Sequence, residues 1–161
     1  MDRQQIGVML VLDALRLPFD LSYFNERLIY QKAIYLAQAA GINLGYYYHW
    51  YLHGPYCSPL TKDGYDINTE IASREWQEWQ LDEASRTKLE KIKQVFIPTD
   101  RQNLANKIEL LASVHFLIDR KQVKDRDVTE ITATLHRFNK PFSEEEVQDA
   151  LGELVHYGFL S

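Results

Sequence analysis

Along most of this chain apolar residues recur every three or four positions. The clear departure is a run of bulky aromatics around residue 50. The first period predicts amphipathic helices and the second a strand. Residues 3 to 17 carry Ile6, Met9, Leu10, Ala14 and Leu17 at helical spacing, with Asp13 on the flank, and Pro18 ends that helix. A second helix is expected from Asn25 to Ala40, with Ser22 or Asn25 as N-cap. Ile29, Ala33, Leu36, Ala37 and Ala40 form its core stripe, and Leu28, Ile34 and Tyr35 widen it. Gln31, Lys32 and Gln38 take the other side, and Gly41 supplies the C-cap.

Tyr46 to His53 has strand composition. Alternation puts Tyr46, Tyr48, Trp50 and Leu52 on one face and Tyr47, His49, Tyr51 and His53 on the other. Gly54-Pro55 ends the strand, since proline donates nothing to a ladder. Ser58 as N-cap and Pro59 at the first helical position open a helix that Gly64 and Asn68 dilute. Ser73 to Leu81 fits either a second strand, with Trp76 and Trp79 on opposite faces, or an irregular link. Asp82 caps a helix to about Phe96, Pro98 breaks it, and Asp100 opens a longer helix through Leu104, Ile108, Leu111, His115 and Ile118. Arg120 to Arg126 is a basic connector. Asp127 and Glu130 cap a helix to Phe138, and Pro141 interrupts. Ser143 and Glu146 form a capping box for the last helix, with Phe142 and Val147 placed as its staple. Val147, Ala150, Leu151, Leu154 and Val155 form its stripe, and Gly158 closes it.

These elements predict an α+β fold, mostly α. A winged-helix-like N-terminal core over residues 1–97, with a short aromatic strand or hairpin, carries a C-terminal helical bundle over 98–161; a single domain is the alternative. The length of 161 residues and 45% apolar content suit either. The net charge of -5 lowers the expectation of a duplex-binding face, which needs cations to neutralise phosphates. Cys57 is the sole cysteine, so an intramolecular disulfide and a cysteine-rich zinc site are excluded, and a reducing cytosol is the simplest compartment. No apolar run approaches the length of a membrane span, and the N-terminal stretch, interrupted by Asp13, is expected to be a helix rather than a leader.

Candidate chemistry gathers at the aromatic run. His49 and His53 share a face at i and i+4, but zinc takes three or four protein ligands, and packing or a partner-facing surface is the better account of the pair. Cys57 beside a helix start is a candidate for a lowered thiol pKa with His53 nearby, although a turn or capping role needs only a small polar side chain. Tyr46, Tyr47, Tyr48, Trp50, Tyr51 and Tyr56 suit a binding hot spot or base stacking, or a sheet packed between helices. Few basic residues interleave with them, which disfavours single-stranded nucleic acid. Arg86, Lys88, Lys91, Lys93, Arg120, Lys121, Lys124 and Arg126 fit solvated faces, and Glu144-Glu145 favours a helix N-terminus.

Two stretches carry a family resemblance. LIYQKAIYLAQ resembles the LQKLLYLAQ helix of the Panacea domain (related to the SocA antitoxin) and of the YwgA-like proteins, and WYLHGPYCSPL resembles their aromatic strand, Gly-Pro and helix start. The YwgA-like turn often reads GPYS, where this chain has Gly54-Pro55-Tyr56-Cys57 and then Ser58. The resemblance covers about residues 25 to 60. It implies a small, mostly helical cytosolic domain with a short sheet and, on the Panacea side, an antitoxin or partner-binding regulator; it brings no catalytic residue and no cofactor. The expected function is therefore a non-enzymatic protein that binds a toxin or regulatory target through Tyr47, His49, Tyr51, His53 and Tyr56, while Tyr46, Tyr48, Trp50 and Leu52 pack on the Ile29 stripe. The runner-up is a winged-helix-like DNA-binding regulator, since residues 143–160 resemble the closing helix of such domains. An enzyme ranks third: His, Tyr and Cys sit near one turn with nothing to orient them.

Overall fold

The computed structural model describes residues 1–97 and 101–161. Helices dominate: α1 (Arg3–Ala14), α2 (Phe24–Ala39), α3 (Ser58–Glu70), α4 (Glu83–Ile92), α5 (Arg101–Asp119), α6 (Val128–Arg137) and α7 (Glu144–His156). Between α2 and α3 lies an antiparallel hairpin of β1 (His49–Tyr51) and β2 (Gly54–Tyr56). Its register pairs His49 with Tyr56, Trp50 with Pro55 and Tyr51 with Gly54. The Pro98 break and the Asp100 helix start lie outside the described residues.

Two helices form the axis. α2 packs most extensively on α5, and α5 also meets β2 and α7. Every residue of α2 from Ile29 to Ala37 is buried, and so is every residue of α5 from Leu110 to Phe116. A helix covered on all sides normally carries only apolar residues there. α2 departs from this, because Gln31 and Lys32 lie inside the run. They do not occupy a solvent side, since the hairpin and α3 cover the face expected to be open.

Several local expectations change for identifiable reasons. The strand is shorter than Tyr46 to His53. Tyr46 and Tyr48 are buried in irregular backbone, their hydroxyls donating to Asp63 Oδ2 (2.7 Å) and the Gln31 carbonyl (2.8 Å). Alternation of burial holds through Tyr51 and then fails: Leu52, at the turn, is exposed. Gly54-Pro55 does not end a strand but builds β2. In a two-stranded sheet each strand has a free edge, so the missing proline N–H breaks no ladder. Cys57, not Ser58, is the N-cap of α3, with Ser58 and Pro59 inside the first turn. α2 starts at Phe24 with Tyr23 as N-cap and no side-chain cap, so neither Ser22 nor Asn25 serves. Gly64 does not dilute α3; a Cβ there would press within 3.2 Å of Leu21 and the Tyr30 ring.

In α1 the buried positions are Gln5, Val8, Met9, Val11 and Leu12, with Ile6 and Leu10 only half-buried. The link after α3 is two short 3-10 turns, Ile71–Ser73 and Glu75–Glu78, which bury Trp76 against Asp13 (Nε1 to Oδ2, 2.8 Å) and expose Trp79. α4 ends at Ile92 and a 3-10 turn continues to Phe96. Caps at Asp82 and Asp127 and the Ser143–Glu146 capping box are present. In α7, Val155 faces solvent and leaves the stripe.

Candidate functional site

Three side chains hold the hairpin and the residues that flank it to the helical axis. Lys32 Nζ on α2 donates to the Pro55 carbonyl at 2.7 Å. Arg120, just past α5, donates to the Tyr48 carbonyl at 3.0 Å and lies over the rings of Tyr47 and Phe116. Gln31 accepts from the Cys57 N–H (3.0 Å) and donates through Nε2 to the Cys57 carbonyl and to Thr61 Oγ1 (both 2.8 Å). Both of its N–H donors are thus used, and the Cys57 N–H fixes its orientation.

A pocket of about 340 Å3 opens between α2, the hairpin turn and α3. Phe24, Leu28, Tyr51, Leu52 and Tyr65 give it apolar walls; Arg27, Lys32, His53 and Tyr56 supply its polar chemistry. None of the side chains lining it, among the described residues, is Asp or Glu. Phe24 and His53 meet edge to face at 4.9 Å, and Tyr51 and Tyr56 lie at 5.5 Å.

Behind the pocket is a small ionic cluster. Glu109 on α5 lies 3.2 Å from Lys140 Nζ and 3.5 Å from His53 Nδ1 through the same oxygen. Lys32 and Lys140 are both buried. Burial lowers the pKa of Lys32 to about 7; the Glu109 charge pulls it up and the Lys140 charge pushes it down. Burial also lowers Lys140, with Glu109 opposing. Trp50 lies above, against Phe116 (5.7 Å) and Phe138 (5.1 Å), with the Lys140 ammonium 5.9 Å from its ring.

The five residues expected to form a contact face divide. Tyr51, His53 and Tyr56 line the pocket, whereas Tyr47 and His49 contact each other at 5.0 Å outside it, with Tyr47 under Arg120. Tyr47 and Tyr51 are 66% and 57% exposed. Cys57 is buried and its thiol pKa is raised by desolvation, the opposite of activation at a helix start. Among the described residues no group of three or more His, Cys, Asp or Glu is placed to hold a metal ion, and no helix is long and apolar enough to cross a membrane.

Lys32, Gln31, Glu109, Lys140 and Arg120 did not stand out in the sequence. The available signal was the placement of Gln31-Lys32 between Tyr30 and Ile34, with apolar residues on every side of the helix. Arg120 belongs to the basic run expected to be solvated, yet it is half-buried against two rings.

No family model, no curated protein and no solved structure matches this chain.

Proposed function

We propose that this protein is a non-enzymatic binding module of the antitoxin or small-regulator kind, which engages a protein partner through the hairpin and the mouth of its pocket. One observation carries this. Phe24, Tyr51, Leu52 and Tyr65, all large and exposed, converge on a single concavity. Clustered apolar exposure beside a pocket is characteristic of contact sites, and tyrosine is enriched among hot spots. The net charge of -5 favours a basic partner, such as a nucleic-acid-targeting toxin, by electrostatic steering. The resemblance of residues 25–60 to Panacea and YwgA-like proteins points the same way, and the hairpin beside α2 suits the winged-helix-like comparison. DNA recognition has less support, because residues 45–60 contain no Lys or Arg.

The test is affinity purification of the tagged chain from its source cells, with Leu52→Asp and Tyr51→Ala as paired variants. The parent brings down one stoichiometric protein, which both variants lose while melting close to the parent. Retention of the same protein by both variants, or elution of the parent alone, overturns the proposal.

A further inference from the structure

The polar side of the pocket has a definite hydrogen-bond polarity. The Cys57 N–H fixes Gln31 Oε1 as acceptor, so Gln31 Nε2 is the donor to Thr61 Oγ1. Thr61 has one hydroxyl proton, and it goes to the Tyr56 oxygen at 2.8 Å. The proton of Tyr56 is therefore left to point elsewhere, on a side chain that lines the pocket. Lys32 spends one of its three N–H donors on Pro55. Arg27 gives one nitrogen to the Leu21 carbonyl at 3.0 Å. The pocket thus offers donors and no carboxylate to receive them.

Charge agrees with polarity. Lys32 and Arg27 line the pocket, and among the described residues the carboxylate that acts on Lys32, Glu109, lies behind it and is already shared between Lys140 and His53. Asp63 on α3 is engaged by Gln5 Nε2 (3.0 Å) and the Tyr46 hydroxyl (2.7 Å) and does not line the pocket. This cationic excess sits in a chain of net charge -5. Buried charge without its full counter-charge is costly, and an anion in the pocket would offset that cost.

We propose that the pocket is a binding site for a small organic monocarboxylate with an apolar body, the carboxylate taken by Tyr56 and Lys32 with Arg27 as flanking charge, and the body held by Phe24, Leu28, Tyr51 and Leu52. Its volume of about 340 Å3 lies within the range of small-molecule sites. The ligand's body shares Phe24, Tyr51 and Leu52 with the surface assigned to partner contact, so an effector in the pocket competes with that contact. The proposal does not rest on the partner reading; either can fail alone.

Calorimetry on the intact chain with 3-phenylpropionate and its neutral isostere 3-phenylpropionamide tests it. At pH 6.5 the carboxylate binds roughly tenfold or more tightly than the amide, the size of a charge-assisted hydrogen bond. That preference shrinks between pH 7 and 9, as Lys32 loses its proton, and binding in this range takes up protons. Tyr56→Phe weakens carboxylate binding several-fold and leaves the amide less affected. Lys32→Met abolishes the preference; should it fail to fold, Arg27→Gln and Tyr56→Phe carry the comparison. Equal binding of carboxylate and amide, a preference unchanged in these variants, or no saturation by 3-phenylpropionate or hexanoate at Kd values up to about 1 mM overturns the proposal.

Discussion

Gly54 opens β2 at φ +89°, and an added Cβ would collide with the Ser113 hydroxyl on α5. The hydroxyl is buried without a partner, so turning it away would break no hydrogen bond, but Ser113 is fully enclosed and its neighbours must accommodate any other rotamer. Gly54→Ala therefore combines left-handed strain with overpacking, and a loss of roughly 2 to 5 kcal/mol in chemical denaturation is expected. Ser113→Ala removes the colliding oxygen and not the strain. It should recover about half of that loss in the double variant, and no recovery would mean that the backbone conformation alone sets the cost. The sequence showed Gly54-Pro55 as a break because both residues are punctuators; what it lacked was the helix behind them. Gln31 makes a similar point. Its three hydrogen bonds tie α2 to the first turn of α3, yet nothing local to it distinguishes a buried amide from a solvated one.

Helix ends were more legible than helix faces. α2 and α7 close with Gly41 and Gly158 at positive φ, where glycine was expected to terminate them. α1, α5 and α6 end with the same pair of backbone bonds but place Arg16, Lys121 and Asn139 at the left-handed position. The two hydrogen bonds of that motif outweigh the roughly 1 kcal/mol cost of the conformation, so glycine is favoured there and not required. In the hairpin, alternation correctly separated Trp50 from Tyr51. Trp50→Ala opens a gap between Phe116 and Phe138 and should lose about 2 to 4 kcal/mol. Tyr51→Ala gives up its ring contact with Tyr56, an effect of about 1 kcal/mol or less. Thermal melts of the two variants decide the matter. If Tyr51→Ala melts as early as Trp50→Ala, the outer face is packed in solution and the contact surface is misassigned.

At the scale of the whole molecule, Lys32 gives stability a pH dependence. Unfolded, it holds its proton to about 10.5; folded, it releases it near 7. Between those values the unfolded chain binds more protons, so stability rises with pH. Lys140, also lowered by burial, acts in the same sense. Glu109 opposes both lysines, and its ion pairs include His53. Cys57, whose thiol is raised, takes stability away above its unfolded value of 9.0, and the buried tyrosines do so above 10. The melting temperature should therefore climb from pH 7 to about 9, equivalent to up to about 2 kcal/mol, and then fall. Lys32→Met should flatten the rising limb. An unchanged slope in that variant would show that Lys32 is not the group responsible.

Period, capping boxes and turn residues are properties of neighbours along the chain, and the sequence alone determined what depends on them: a mostly helical protein with one short aromatic strand region, caps at Asp82, Asp127 and Ser143, and the inward side of the aromatic run. Burial on the remaining faces of α2 and α5 depends on what arrives from distant segments. Only the tertiary structure decided that Lys32 and Gln31 lie inside, that Glu109 and Lys140 meet behind the hairpin, that Arg120 stacks on Tyr47, and that Tyr51, His53 and Tyr56 share a pocket while Tyr47 and His49 do not. Each of those contacts joins residues 20 or more positions apart or places neighbours on opposite sides of a turn, and no local pattern encodes which distant element covers a given face.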